Sequence, residues 1–206
     1  NKSLLFDGVD NYMTMPTTNL DPNIFGGTGN IYTIYATITA PQPTGLQTLF
    51  IGRPNAFWLL ISASKVRFIS NSLATDIQGT VNLVEGENYN IAISIDFENK
   101  SNTKITINGV NDTISVNNST SVNTTPSNYE IGQNTGNSSF HNGYIKSISV
   151  VNRMTTLAED ILMYNNGAGA NPYNIFNDDC KWFMNADDSV WNGSAYEVTD
   201  SVSSNV

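Results

Sequence analysis

The sequence predicts an all-β fold, a sandwich of two antiparallel sheets with one short helix near residues 156–165. Two observations support this prediction. Apolar and polar residues alternate with a period of two through most of the first 151 residues, and turn-forming residues separate the alternating runs. With 206 residues, 39% of them hydrophobic, the chain is long enough to enclose a core, and we assign residues 1–206 to a single domain.

The two clearest strands run from Tyr32 to Thr39 and from Tyr89 to Phe97. Apolar side chains occupy every second position in both, which is the pattern of a strand with one face on a core. We therefore expect these two strands, with the run before residue 151, to supply buried residues. The predicted buried set is Tyr32, Ile34, Ile91, Ile93, Ile95, Ile148 and Val150.

Shorter runs rich in β-branched and aromatic residues predict further strands. They are residues 49–51, 57–62, 66–69, 104–108, 110–115, 129–132 and 144–151. The dipeptide Asn108-Gly109 separates two of these runs. Because both residues tolerate positive φ, a type I′ hairpin is predicted there.

One helix is predicted after the last long strand. Thr156 and Glu159 have the spacing of a capping box, in which each side chain satisfies the other's backbone N–H. Leu157, Ile161 and Tyr164 recur at helical spacing, as apolar residues do on the buried face of a helix.

The tail, residues 168–206, contains two weaker strand candidates at 181–184 and 195–199. It either closes the same sandwich or leads into a following module. Its aromatic residues Trp182, Phe183, Trp191 and Tyr196 favour closure, because they provide apolar surface that can pack.

Charge and composition exclude several classes of partner. The net charge is −9, and the nine Lys and Arg residues are scattered along the chain. Nucleic-acid binding needs clustered cations, so no nucleic-acid partner is expected. The apolar runs are too short to cross a bilayer, so no membrane insertion is expected. Cys180 is the one cysteine, which excludes a disulfide framework within the chain.

Three blocks of sequence carry a family resemblance. The first is Leu4–Tyr12 with its Phe-Asp-Gly, the second is Tyr89–Asp96 with the hairpin ending in Asn108-Gly109, and the third runs from Ile131 to Asn165. Together, over residues 3–167, they resemble the laminin-G-like, concanavalin A-like lectin and glucanase superfamily. The resemblance implies a jelly-roll sandwich and a role in recognition.

The tail from Trp182 to Ser201 resembles segments that accompany such jelly rolls in phage and other virion-associated proteins. This resemblance implies an extracellular or virion location. It also implies that the chain is part of a larger polypeptide or virion assembly.

The superfamily resemblance also raises the question of catalysis. Related glucanases carry their acids on one strand as Glu-x-Asp-x-(x)-Glu, because alternate residues share a face. The nearest segment here is Ser94–Glu98, where Ser94 occupies the place of the nucleophile. We predict no catalytic residue, and we interpret Asp96 and Glu98 as solvated strand-end carboxylates. His141, the single histidine, accompanies no recognisable nucleophile motif, and a polar role at the rim is favoured.

Calcium is the cofactor to test, although none is predicted to be required. Pentraxin-type relatives place acids after the Gly-Gln of the third block, where this chain has Asn134 and Thr135. Asp7, Asp10 and Asn11 remain a candidate calcium site, since calcium takes carboxylate and amide oxygens from loops. The alternative is an Asp-rich turn that stabilises its own backbone.

Carbohydrate binding needs an aromatic platform and amide or hydroxyl partners. Two groups of residues fit, one around a strand edge and one in a later loop. The candidate ligand-binding residues are Arg53, Asn55, Trp58, Gln133, Asn134 and His141. A tryptophan such as Trp58 is more often a core residue than a platform, and the platform is the alternative.

The favoured function is a non-catalytic module that recognises a glycan or a cell-surface protein. A purely structural virion or adhesin domain without a ligand of its own is an alternative, and a glycoside hydrolase or lyase is a third.

Overall fold

The computed structural model describes residues 2–25, 31–42, 45–54, 56–70, 75–118, 125–133 and 139–187. Within these ranges the chain forms two seven-stranded antiparallel sheets and two short α-helices, which confirms the predicted all-β sandwich. No helix in these ranges has both the length and the apolar character needed to span a bilayer.

The first sheet takes strands from both ends of the described chain. Its members are β1 (Leu4–Asp7), β3 (Ile31–Thr39), β8 (Asn88–Asp96), β9 (Lys104–Ile107), β10 (Val110–Asp112), β13 (Asn142–Val151) and β14 (Cys180–Asn185). The spatial order is β1, β13, β3, β8, β9, β10. β14 pairs with the second half of β13, and β1 pairs with the first half.

The second sheet takes its strands from the part of the chain between Met13 and Ile131. Its members are β2 (Met13–Pro16), β4 (Leu46–Arg53), β5 (Phe57–Ser62), β6 (Lys65–Ser70), β7 (Thr75–Gly79), β11 (Ile114–Asn118) and β12 (Asn128–Ile131). The spatial order is β11, β7, β6, β5, β4, β12, β2.

One large core cluster lies between the sheets. It contains every residue of the predicted buried set, and each is fully buried. Aromatic rings form its centre, where Phe25 and Phe57 lie with ring centroids 4.5 Å apart. The sequence therefore identified the inward faces of β3, β8 and β13, because strict alternation forces one face of a strand onto the core.

Local sequence signals also hold at the β9–β10 hairpin, where Asn108 and Gly109 both have positive φ, as the predicted turn requires. The predicted strand 110–115 is wrong in one respect, because the chain changes sheet at Thr113 and forms two strands. Asp112, at the end of β10, accepts a hydrogen bond from the hydroxyl of Thr80 at 2.8 Å. The short strands β2 and β7 were not predicted.

The predicted helix is present as α1 (Leu157–Tyr164), and its capping box between Thr156 and Glu159 is complete. Its predicted buried face is wrong, however. Leu157 and Ile161 are exposed, whereas Asp160 and Met163 face the sheet.

A buried polar network explains the orientation of α1. The Asp160 carboxylate accepts hydrogen bonds from the Tyr35 hydroxyl at 2.5 Å and from the Thr155 hydroxyl at 2.8 Å. Lys104 forms an ion pair with the same carboxylate at 2.5 Å. Because the carboxylate has these three partners, it can be buried beneath the helix. Burial, together with the proximity of this carboxylate, raises the pKa of Tyr35 above its usual range.

The tail contributes to both the sheet and the core. A second helix, α2 (Tyr173–Phe176), precedes β14 and packs on the outer face of the first sheet, where Phe176 stacks on Tyr35 with centroids 5.6 Å apart. From β14, Trp182 enters the core and stacks on Phe50 at 5.7 Å. The predicted strand 195–199 lies outside the described residues, as do Trp191 and Tyr196.

Candidate functional site

Within the described ranges, one large aromatic side chain lies on the outer face of the second sheet. On β5, Phe57 and Leu59 belong to the core cluster. Because successive side chains of a strand point to opposite faces, Trp58 between them lies on the outer face. It is half-buried and belongs to neither core cluster, which favours the platform over the core interpretation.

Strand register places Trp58 in the middle of a row that crosses the sheet. Each member is paired directly with the next on the neighbouring strand. The members of this Trp58 row, in spatial order, are Thr14, Glu130, Ile51, Trp58, Ile69 and Asp76. Since neighbouring strands lie about 4.8 Å apart, the distance along the row from Glu130 to Asp76 is about 19 Å.

The central part of this face is apolar. Ile51 is 0% exposed, Ile69 is 7% exposed and Leu60, two residues from Trp58 on β5, is 2% exposed, although none of them belongs to a core cluster. Trp58 is the aromatic residue of the Trp58 row, and its side chain is in contact with solvent. A sugar with one apolar face can be accommodated by such a ring.

Paired charges lie on both sides of the apolar centre. Arg53 forms an ion pair with Glu130, and Gln133 donates to the same carboxylate oxygen at 2.9 Å. On the other side, Arg67 holds Asp76 through two hydrogen bonds, of 2.9 and 2.7 Å. This pairing raises the pKa of Arg67 above its usual value. The charges are therefore fixed in position and can orient a polar ligand.

The structure brings together only some of the six predicted ligand-binding residues. Arg53 and Trp58 share the outer face of the second sheet. Gln133 is buried, and its side-chain amide donates a hydrogen bond to the Glu130 carboxylate. Asn55 and Asn134 lie outside the described residues.

His141 is fully buried, which corrects its interpretation as a rim residue. Its ring lies edge-on to Phe6, with the ring centroids 6.0 Å apart. Burial lowers its pKa from the usual 6.5 to about 4, with only partial opposition from the backbone at Tyr144. His141 is thus neutral at physiological pH, and its side chain does not reach the surface.

A family comparison agrees with this architecture. The family model described as the concanavalin A-like lectin/glucanases superfamily matches residues 7–159. The chain belongs to this superfamily. A comparison with curated proteins gave no match.

Solved structures show a similar fold at low sequence identity. A candidate carbohydrate-binding protein from Bacteroides ovatus is 13% identical with a TM-score of 0.68, and the match covers 97% of this chain and 55% of that one. This chain thus spans about half the length of the Bacteroides protein.

Two shorter proteins match over most of their own length. A heptameric SAP-like pentraxin from Limulus polyphemus is 13% identical, with a TM-score of 0.62 and coverage of 89% and 90%. The CBM40 domain of the Ruminococcus gnavus IT-sialidase, solved with α2,3-sialyllactose, is 15% identical, with a TM-score of 0.57 and coverage of 78% and 97%.

Of the acids in the segment that resembles the superfamily glucanases, Asp96 has a structural role here. Asp96 is buried, so it is not the solvated carboxylate that the sequence suggested. Its carboxylate accepts hydrogen bonds from the backbone N–H groups of Glu98 and Asn99, at 2.9 and 2.8 Å, and from the Asn102 side chain at 2.8 Å. Ser94 is buried against Thr33. Glu98 is exposed, as expected.

The candidate calcium site is a loop in which the Asp7 carboxylate accepts hydrogen bonds from the backbone of the residues that follow it. One carboxylate oxygen of Asp7 accepts from the N–H groups of Val9, Asp10 and Asn11, at 2.9, 3.3 and 3.4 Å. The Val9 bond is the largest cause of the lowered pKa of Asp7. In the ranges that the structure describes, no three His, Cys, Asp or Glu residues form a group that could hold a metal ion. Calcium binding here stays a prediction.

Sequence reasoning missed Glu130, Ile51 and Ile69 as neighbours of Trp58. Their alternation with core residues shows which face they occupy. Their proximity to Trp58 depends on the order of the strands, which no local pattern contains.

Proposed function

We propose that this chain is a non-catalytic glycan-recognition domain that binds a sugar ring on Trp58. The observation that carries the proposal is the position of this half-buried indole on an outer sheet face, between the buried apolar residues Ile51 and Ile69. Stacking of a sugar on an aromatic ring needs such a reachable, rigidly supported platform.

Polar groups beside the indole supply the second requirement. Glu130 and Asp76 lie two strands away from Trp58, on opposite sides. Each carboxylate is held by an arginine, Arg53 or Arg67. A hydroxyl-rich ligand longer than one ring can therefore stack at the centre and hydrogen bond at both ends of the row.

The comparisons support the class of ligand. The Ruminococcus domain is bound to a sialylated lactose, and the Bacteroides protein is described as a candidate for carbohydrate binding. The absence of catalysis is supported by Asp96, whose carboxylate is engaged in holding its own turn. We also propose that the domain works outside a cell or on a virion, within a larger polypeptide or assembly.

A glycan array followed by calorimetry tests the proposal. The array includes α2,3-sialyllactose as one probe. For a glycan that binds, Trp58→Ala is expected to weaken binding by about 1–3 kcal/mol through loss of stacking area, while the protein stays folded. Leu162→Ala is the matched control, because Leu162 is apolar, 58% exposed and on the helix of the other sheet.

Four results would contradict the proposal. Unchanged affinity in Trp58→Ala would exclude the indole as the platform, and unfolding of that variant would place the indole in the core. A flat array would favour a structural domain without a ligand. Release of shorter sugars from a bound glycan would contradict the absence of catalysis. Asn55→Ala and Asn134→Ala test the two predicted residues that lie outside the described ranges.

A further inference from the structure

The outer face of the first sheet is only partly covered by helices. α1, α2 and the residues around them cover the half near Tyr35, where a second apolar cluster forms. Beside this cover lie two adjoining cavities of about 150 and 220 Å³, which share Thr37 and Lys146 in their lining. We call them together the Tyr144 groove, formed by Thr37, Thr39, Asn88, Tyr144, Lys146 and Ser147.

Short hydroxyl and amide side chains make up the floor of the Tyr144 groove. The Thr39 hydroxyl donates to the Asn88 side-chain oxygen at 2.8 Å, and the Asn90 amide donates to the Thr37 hydroxyl at 3.1 Å. These bonds fix the side chains in place. They also leave the amide N–H groups of Asn88 for a ligand or water.

An aromatic ring lies at one end of the floor. Tyr144 is 42% exposed and lies on β13, next to the strand that carries Thr39. The opposite wall, residues 167–171, has small side chains. A Cβ atom on Gly169 would still lie 4.0 Å from the Thr37 hydroxyl. The groove thus has a reachable ring, a flat polar floor and an open wall.

The charges in the groove balance locally. Lys146 donates to the backbone oxygen of Ala168 at 2.8 Å. Asp187, which also lines the groove, accepts from the backbone N–H of Lys2. That hydrogen bond is the largest cause of the lowered pKa of Asp187, and the charge of Lys146 adds to it. Because the carboxylate of Asp187 lies near the positive charges of Lys146 and Lys2, the groove has no strong preference for a charged ligand.

We propose that the Tyr144 groove is a second glycan-binding site, which takes an uncharged sugar ring on the sheet opposite the Trp58 row. The ligand class rests on the proposed function, whereas the location rests on the groove itself. An exposed aromatic ring beside fixed amide and hydroxyl groups is the combination that recognises a neutral sugar. With sites on opposite faces, one domain can bridge two glycan chains and gain avidity.

NMR titration of the full chain with neutral sugars tests the second site. The probes are the methyl glycosides of glucose, galactose, mannose and N-acetylglucosamine, at millimolar concentrations. The reporters are the Asn88 side-chain amide and the Ser147 and Gly169 backbone amides, with the Trp58 indole N–H for the other site. We expect saturable shifts at the three groove reporters with at least one glycoside, in the wild type and in Trp58→Ala alike.

Variants of Tyr144 and Asn88 separate the contribution of ring stacking to sugar binding from that of hydrogen bonds. Tyr144→Ala is expected to weaken binding in the groove about tenfold. Tyr144→Phe, which keeps the ring, is expected to stay within about twofold of the wild type. Asn88→Ala provides an independent variant in which the ring is untouched, and it is also expected to weaken binding.

Four results would overturn the second site. They are the absence of saturable shifts at the groove reporters with all four glycosides, unchanged shifts in Tyr144→Ala, loss of the groove shifts in Trp58→Ala, and tighter binding of methyl glucuronide than of any neutral glycoside. Groove shifts without a response of the Trp58 indole, together with a flat glycan array, would refute the Trp58 platform and support the second site. A response of the Trp58 indole without groove shifts would support the Trp58 platform and refute the second site.

Discussion

Removal of the cation beneath α1 is expected to destabilise the domain strongly. Asp160 is fully buried and takes hydrogen bonds from Tyr35 and Thr155, and Lys104 supplies its positive charge. In Lys104→Met the aliphatic stem is largely retained, whereas the ammonium group is lost. The variant therefore leaves a buried carboxylate with two neutral donors and no counter-ion.

The expected loss is about 3 kcal/mol of unfolding free energy, the lower part of the range for breaking a buried ion pair from one side. We take the lower part because Tyr35 and Thr155 still hydrogen bond with the carboxylate. For a domain of this size, the loss corresponds to a fall in Tm of roughly 6–12 °C. The double variant Lys104→Met, Asp160→Asn removes the uncompensated charge and is expected to recover more than half of the loss.

Urea denaturation followed by circular dichroism measures these differences, with Lys181→Met as the control because Lys181 is exposed and donates to a backbone oxygen. The control is expected to stay within about 0.5 kcal/mol of the wild type. A Lys104→Met variant as stable as the control would refute the reasoning. So would a double variant less stable than Lys104→Met alone.

The remaining predictions concern the core, the buried histidine and calcium. Ile93→Asp should lower the free energy of unfolding, measured by urea denaturation, by several kcal/mol. Val110→Asp, at an exposed position of the same sheet, should leave it nearly unchanged. Equal losses in the two variants would mean that the core face is misassigned. Because the pKa of His141 is lowered to about 4, the unfolded chain binds the extra proton first. Stability should then be full above pH 6.5 and fall by about 3 kcal/mol towards pH 4. His141→Phe should flatten this fall. The effect would be most evident above pH 4.5, because below that pH the unfolded chain also begins to bind a proton at Glu159, whose pKa in the folded protein Arg153 lowers to about 2. A chelator should leave Tm unchanged, and a large fall would instead reveal a bound ion.

Alternation of apolar residues predicted much of the fold from the sequence, because core burial acts on each strand separately. The inward faces of β3, β8 and β13 follow from local patterns that need no knowledge of neighbours. The capping box of α1 and the Asn108-Gly109 turn are local in the same sense. Both were therefore predictable.

The orientation of α1 could not be predicted, because its determinants are distant along the chain. Asp160 is 56 positions from Lys104 and 125 positions from Tyr35. A sequence pattern ranks an aspartate as exposed and Leu157 or Ile161 as buried. The ion pair and hydrogen bonds reverse that ranking here.

The candidate site was predictable in part for a related reason. Trp58 and Arg53 were identified by residue type, whereas Glu130, the partner of Arg53, is 77 positions away along the chain. The burial of His141 was equally hidden. It depends on Phe6 from the first strand, which no pattern around residue 141 indicates.

The strand β14 determines how short an expressible version of this domain can be. The match to the family model ends at residue 159, and yet Trp182 and Met184 lie in the core between the sheets. A recombinant protein cut at the end of the match would lack both side chains. It would also expose the backbone edge of β13 from Ser147 to Val151. An exposed strand edge can pair with another chain, so the shortened protein would be prone to aggregate. Cloning boundaries for this domain should therefore extend at least to residue 187.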